Sequence, residues 1–187
     1  VAARDPLGIK PLYMARRGEG LAFASELKAF DGLGFDDITA LPPGALFDSA
    51  NGLRHWYRVP SGAAVAEPGL DIGSIAGELR LTLEEAVAKW MVADVEVGSF
   101  LSGGLDSSVI AAIAQKVRLA AGQAPLKTFA VGTVGSSDLR AARRVADHIG
   151  SDHHEYSFSA QDIAENLSHV IYHLASADAD LLRGAVP

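Results

Sequence analysis

Residues 97–118 read Val-Gly-Ser-Phe-Leu-Ser-Gly-Gly-Leu-Asp-Ser-Ser-Val-Ile-Ala-Ala-Ile-Ala-Gln-Lys-Val-Arg. An apolar run, Val97–Leu101, leads into Ser102-Gly-Gly-Leu-Asp-Ser-Ser108, and a helical pattern follows from Val109. Strand, glycine-rich turn and helix start together aim backbone N–H groups and a helix N-terminus at one point, which suits a phosphate. Gly103 and Gly104 let the chain turn tightly and approach a ligand where a Cβ would obstruct. Ser102, Ser107 and Ser108 add hydroxyl donors. The Gly-Lys-Ser/Thr ending of a Walker loop is absent. In its place stands Asp106, a carboxylate that repels phosphate unless it faces a cation, most simply Mg²⁺.

Outward from this loop, strands alternate with helices. In the segment 71–91, Ile75, Leu79, Leu83, Val87 and Met91 recur every four residues and form one apolar stripe. After the loop helix, which runs to about Arg118, a strand is expected at Lys127–Gly132. A helix from about Asp138 to Ile149 follows, with Leu139, Ala142, Val145 and Ile149 inward and Gly150 as its cap. A strand at His154–Phe158 and a helix at Asp162–Ala175 complete the pattern. Alternation of this kind predicts a parallel α/β sheet with ligands at the carboxyl ends of its strands.

Residues 1–60 have a shorter rhythm. Leu12–Ala15 and Leu21–Ala24 flank Arg17-Gly-Glu-Gly20, and Ala45–Asp48 and Leu53–Val59 flank Asn51-Gly52, which predicts two hairpins. Residues 61–70 are small, Pro/Gly-bearing and without period, and read as a linker. The expected division is therefore 1–60, a linker at 61–70, and 71–187.

The chain has 187 residues, 49% hydrophobic and 21% charged, an ordinary globular composition with enough length for a sizeable core. No apolar run is long enough to span a membrane. A net charge of −7 argues against a nucleic-acid surface, and the absence of cysteine excludes disulfides and thiolate metal sites. Cytoplasm is the expected compartment. The opening Val1 and closing Pro187 read as the ends of a piece cut from something longer.

Ser102–Ser108 resembles the PP-loop of ATP pyrophosphatases, which split ATP between its α- and β-phosphates. Other segments carry the likeness further. In the N-terminal half these are Arg4-Asp5-Pro6-Leu7-Gly8-Ile9-Lys10-Pro11-Leu12-Tyr13, Ala24-Ser25-Glu26-Leu27-Lys28-Ala29 and Leu41-Pro42-Pro43-Gly44. In the second half they are Phe129-Ala130-Val131-Gly132, Ser137-Asp138-Leu139, His153-His154-Glu155 and Val170-Ile171-Tyr172-His173. In this order they resemble the glutamine-dependent asparagine synthetases. The resemblance implies the end of a β-rich class II glutaminase domain of the N-terminal-nucleophile type, then the start of a parallel-sheet PP-loop domain related to the adenine nucleotide alpha hydrolases.

What the resemblance implies about activity is concrete. A substrate carboxylate attacks the α-phosphate of ATP, pyrophosphate leaves, and ammonia from glutamine displaces AMP to give an amide, as in asparagine biosynthesis. Ser102, Gly103, Gly104, Asp106, Ser107 and Ser108 would hold phosphates and Mg²⁺, with Asp106 the catalytic and metal-binding group. Phe100, Leu101 and Val131 would hold adenosine, and Asp5 the α-amino group of glutamine. Glutamine, ATP and aspartate or another carboxylate are the implied small-molecule partners, with no nucleic acid or membrane, and homodimerisation stays open. The family's cysteine nucleophile and its downstream Ser-Gly-Glu-Gly-Ser-Asp-Glu segment are not in this stretch, so it is expected to be incomplete for catalysis.

Plainer readings stand beside these. Asp5 before Pro6 can simply cap a turn. Phe100, Leu101 and Val131 read first as core residues of a sheet. His153, His154 and Glu155 look like metal ligands on paper, but neighbours in a strand point to opposite faces, which favours structural roles. Arg140, Arg143 and Arg144 read as a solvated helix face. Where many asparagine synthetases carry Asp-Val-Thr-Thr-Ile before an arginine, this chain has Asp178-Ala179-Asp180-Leu181-Leu182 before Arg183. That makes Asp180 and Arg183 candidates for the acceptor pocket. It also leaves open a β-lactam-synthetase-like ring closure, another carboxylate, or an inactive paralogue.

Overall fold

The computed structural model describes residues 1–60 and 71–174; the expected linker at 61–70, Asp180 and Arg183 lie outside them. The chain forms two compact units, one on the N-terminal strands with the end of the last helix from Leu167, the other on the residues up to Asn166. Mixed α/β architecture is thereby shown, with antiparallel pairing in the first unit and parallel pairing in the second.

In the first unit, β1 (Ala2–Ala3), β5 (Ala45–Asp48) and β6 (Gly52–His55) form one antiparallel sheet. A second has the order β3 (Gly20–Ala24), β2 (Tyr13–Arg17), β4 (Asp36–Ala40). Arg17 pairs with Gly20, so Gly18-Glu19 is a two-residue hairpin loop. The second hairpin differs from the two-residue Asn-Gly turn. Asp48 pairs with Gly52 across a three-residue loop, Gly52 takes φ +72°, and the Asp48 carboxylate accepts from the N–H groups of Ala50 and Asn51. β6 stops at His55, short of the expected Val59, because Trp56 and Tyr57 turn their N–H groups onto the Gly44 carbonyl.

In the second unit, β7 (Gly98–Phe100), β8 (Lys127–Thr133) and β9 (Asp152–Phe158) run parallel in that order. Helices α1 (Ile72–Trp90), α2 (Leu105–Ala120) and α3 (Ser137–Ile149) belong to this unit together with the start of α4 (Ala160–Leu174), and the four match the expected helices to within a few residues. The Asp71 carboxylate caps α1 through the Ser74 N–H, and Gly150 ends α3 at φ +69°.

One face of the sheet carries the core. Leu101, Leu126 and Ala130 meet Ala111 and Ala114 of α2 and Ala142 and Ala146 of α3. Alanines let these helices lie close to the strands. Full burial of a leucine such as Leu101 or Leu126 contributes about 1.5–3 kcal/mol. Gln115 is buried here and satisfied at both ends: its Oε1 accepts from the Leu126 N–H and its Nε2 donates to the Gly150 carbonyl. The α1 stripe is only half used. Val87 is buried and Met91 packs on the core, while Ile75 and Leu79 are exposed among the described residues.

Candidate functional site

The loop between β7 and α2 is held by its own hydroxyls. Ser102 Oγ and Ser107 Oγ are 2.9 Å apart, Ser107 Oγ accepts from the Ser102 N–H, and Ser102 Oγ accepts from the Gly104 N–H. Ser108 Oγ donates to the Gly104 carbonyl at 2.6 Å. The N–H groups of the first turn of α2 lack intrahelical partners and point out of the helix end, as an anion requires.

The two glycines are there for different reasons. Gly103 has φ +78°, and a Cβ on it would sit 2.5 Å from Ala141 Cβ and from the Ala142 backbone nitrogen, so the loop lies directly on α3. Gly104 has φ −72°, and a Cβ there would meet nothing closer than Ser102 Oγ at 3.4 Å. Folding demands the first glycine; it does not demand the second.

Asp106 lies exposed in the first turn of α2. Among the described residues it makes no hydrogen bond or ion pair, and no group of three or more His, Asp or Glu could hold a metal by itself. A lone carboxylate beside free N–H donors suits a magnesium ion shared between one protein carboxylate and the phosphates of a nucleotide.

The sheet residues at the loop correct one expectation. Leu101 is core, 1% exposed, but Phe100 is 79% exposed and Val131 46% exposed. Phe100 pairs with Phe129 in the ladder, and Val131 lies two residues further along β8, so all three project from the face opposite α2 and α3. The cause is the sheet's one-sided cover among the described residues: Thr128, Ala130 and Gly132 face the helices and are buried. Phe129, unremarked in this role by its sequence context, stacks on His154 at 5.3 Å between ring centres. Together they make an apolar floor beside the loop.

In the first unit, Asp5 caps its own turn. Oδ1 accepts from the N–H groups of Leu7 and Ile9, and Oδ2 from that of Lys10. These bonds, Lys10 foremost, hold its pKa below the ordinary carboxylate value. A carboxylate has about four lone-pair positions, so about one remains for a further donor. Arg4, which the sequence did not single out, binds the carbonyls of Gly8, Lys10 and Leu41 and clamps this turn to the Leu41-Pro42-Pro43-Gly44 segment.

His153 and His154 diverge as strand alternation requires. The side chain of His153 is 1% exposed, with Nδ1 2.8 Å from Thr128 Oγ1, which in turn lies 2.8 Å from Ser151 Oγ. Its Nε2 has no hydrogen-bond partner and stands 3.5 Å from Glu155 Oε1. Burial, then Arg143, pushes its pKa down. His154 lies on the opposite face, 3.3 Å from Asp152. The pair does not converge on a metal.

Comparison with known proteins accounts for both halves. The family described as "Asparagine synthase" matches residues 78–181, and that described as "Glutamine amidotransferase domain" matches residues 1–32. Asparagine synthetase [glutamine-hydrolyzing] 3 of Arabidopsis thaliana is 39% identical over the whole of this chain, which covers 33% of that protein. The asparagine synthetases of Zea mays and Saccharomyces cerevisiae are 40% and 38% identical, again over the whole chain, which covers 32% and 38% of them. The chain thus spans about a third of the length of these curated relatives. With the synthase match covering more than half of its residues, beginning ahead of the Ser102–Ser108 loop, the chain belongs to the asparagine synthase family.

Proposed function

We propose that the intact protein is an ATP-dependent, glutamine-hydrolysing amide ligase, an asparagine synthetase, and that this chain joins parts of its two catalytic domains. The reading assigns residues 1–60 to the end of an N-terminal-nucleophile-type glutaminase, residues 71–187 to the start of a PP-loop domain, and 61–70 to the connection. It rests above all on the loop: helix N-terminal donors, a glycine that folding does not require, and a carboxylate unpaired among the described residues, all at one point.

In this scheme an oxygen of the aspartate side-chain carboxylate bonds to the α-phosphorus of ATP, and the bond to the bridging oxygen breaks. Pyrophosphate leaves as charge builds on it. The first-turn N–H groups of α2 and the hydroxyls of Ser102, Ser107 and Ser108 face that charge without reorganising. A bound magnesium ion would supply neutralising charge between the phosphates and Asp106. Phe100 and Val131 give the adenine an apolar floor, and Leu101 contributes through its backbone. Ammonia then attacks the acyl carbon and AMP departs. On the glutaminase side, Asp5 offers its remaining lone pair to the α-ammonium of glutamine. Asp180 and Arg183 are assigned to the acceptor side, Arg183 as the counter-charge to a carboxylate.

The test is glutamine-dependent formation of asparagine by the intact protein, with AMP and pyrophosphate measured in parallel. Formation of AMP, pyrophosphate and asparagine in equal amounts supports the reading. ADP in place of AMP, or no turnover with any carboxylate, overturns it.

A further inference from the structure

A run of polar groups between the sheet and α3 has no part in the chemistry described so far. Ser151 Oγ lies 2.8 Å from Thr128 Oγ1, Thr128 Oγ1 lies 2.8 Å from His153 Nδ1, and His153 Nε2 lies 3.5 Å from Glu155 Oε1. That same Oε1 accepts from Arg143 Nε at 2.9 Å. Thr128 and the His153 side chain are sealed from water, whereas Glu155 and Arg143 are partly open to it, at 32% and 45% exposure.

These groups respond to a proton in a defined way. Neutral His153 carries hydrogen on one ring nitrogen, and its partners assign that hydrogen to Nε2, facing the carboxylate, while Nδ1 accepts from the Thr128 hydroxyl. The other tautomer would set a bare lone pair against Glu155. A second proton goes to Nδ1. Thr128 Oγ1 then accepts from Nδ1 and turns its own hydrogen to Ser151 Oγ, so the imidazolium keeps a partner at each end. Two cations now share one carboxylate oxygen. His153 has no water to turn to and Arg143 has, so Arg143 gives way. Facing His153 are Glu155 on its own strand and Arg143 and Asp147 on α3, while Lys127, Asp152 and His154 project to the other face of the sheet. Burial, then Arg143, holds the His153 pKa below the ordinary 6.5, with Glu155 and Asp147 opposing, so the change falls on the acid side of 6.5.

Arg143 matters because of what stands next to it. Ala141 and Ala142, just before it on α3, are the residues on which Gly103 of the nucleotide loop lies. α3 otherwise packs through Leu139, Ala142, Val145, Ala146 and Ile149, and apolar contacts of this kind carry no direction. Among the described residues, the bond from Arg143 to Glu155 is the one polar side-chain contact that fixes α3 against the sheet. We propose that Arg143 is a positioning residue for the nucleotide loop, acting through α3, and that a proton on His153 releases it by taking over Glu155. The ligand affected is the ATP of the function proposed above, on which this inference rests.

Calorimetric titration of the intact protein with magnesium ATP between pH 8 and 5, with hydrogen exchange of the α3 amides over the same range, tests this. As pH falls below 6.5, wild type is expected to lose about two- to fivefold more ATP affinity than His153→Gln, the range that one half-exposed ion pair commands. Arg143→Gln should show the weakened affinity already at pH 8, and Arg143→Lys should recover part of it. Exchange in α3, corrected for the intrinsic rate at each pH, should quicken in acid in wild type and not in His153→Gln. Superimposable affinity profiles for wild type and His153→Gln overturn the proposal, as does full affinity in Arg143→Gln at pH 8. Should His153→Gln fail to fold, Glu155→Gln removes the shared carboxylate instead, and a wild-type fall in affinity with pH that persists in it refutes the release. A wild-type protein that binds no ATP at any pH ends the function proposed above, and exchange alone then decides whether His153 frees α3.

Discussion

Gly103→Ala is the substitution whose cost the structure specifies most fully. At φ +78° an L-residue is in the left-handed region, which costs about 1–2 kcal/mol. The added methyl would stand 2.5 Å from Ala141 Cβ, where carbon atoms at ease lie about 3.5–4.0 Å apart. The loop and α3 must therefore separate by about 1 Å, and forced overpacking of this kind costs about 1–3 kcal/mol. The sum, about 2–5 kcal/mol, is a large part of a typical domain stability of about 5–15 kcal/mol. It lowers the melting midpoint of this unit by on the order of 5–20 °C. Gly104→Ala is the internal control. With φ −72° and only Ser102 Oγ at 3.4 Å, it costs less than about 1 kcal/mol, yet it puts a methyl group where a phosphate is proposed to lie. Scanning calorimetry of the intact protein with each variant, followed by ATP titration, separates the two. Equal melting of the neighbouring variants would refute the argument that α3, and not the ligand, fixes Gly103.

Asp106→Asn should fold normally and lose on the order of 10²-fold or more in ATP–pyrophosphate exchange, because the charge facing the cation is gone; exchange at the wild-type rate would remove Asp106 from the mechanism. His153 predicts an acid-side loss of stability. Its folded pKa lies below the ordinary 6.5, so its contribution is complete above 6.5 and is lost as pH falls from there towards the folded value, where the unfolded chain takes a proton that the folded one declines. Glu155 and Asp147 pull against that shift, while Arg143 and His154 reinforce it. Melting curves between pH 8 and 5 should be flatter for His153→Gln, and superimposable slopes would contradict this. Restoring threonine at positions 180 and 181 should raise kcat/KM for aspartate if Asp180 faces the acceptor. Two like charges about 4 Å apart repel by roughly 4 kcal/mol at an effective dielectric near 20. An unchanged kcat/KM would show that Asp180 does not face the acceptor.

The parallel sheet was legible because helix and strand periods differ, and Leu139, Ala142, Val145 and Ile149 do face the core or its rim. β4 was not legible. Asp36-Asp-Ile-Thr-Ala40 is exposed throughout and is held by backbone pairing to β2 across a bulge, so its side chains carry no period to read. β1 has two residues and no pattern at all. In the loop, residue type announced glycines, hydroxyls and a carboxylate, but not which glycine serves folding, since that depends on a helix 38 residues away in sequence. Phe100 and Val131 misled for a related reason. Apolarity shows that a side chain can be buried, and only the tertiary structure shows whether a helix covers its face.

Gln115 makes the durability of this unit depend on a single amide. Its oxygen takes the Leu126 N–H and its nitrogen gives to the Gly150 carbonyl, tying the start of β8 to the end of α3 through one side chain. Only a group with a donor at one end and an acceptor at the other serves both. Hydrolysis of that amide during prolonged storage, the slow chemistry that makes glutamine a thermolabile residue, would leave a carboxylate facing a carbonyl oxygen inside the core. Chemical ageing at position 115 therefore attacks the fold without touching the nucleotide loop. Because Gln115 is 4% exposed, the folded state shields this amide, and its loss should track the time the protein spends unfolded.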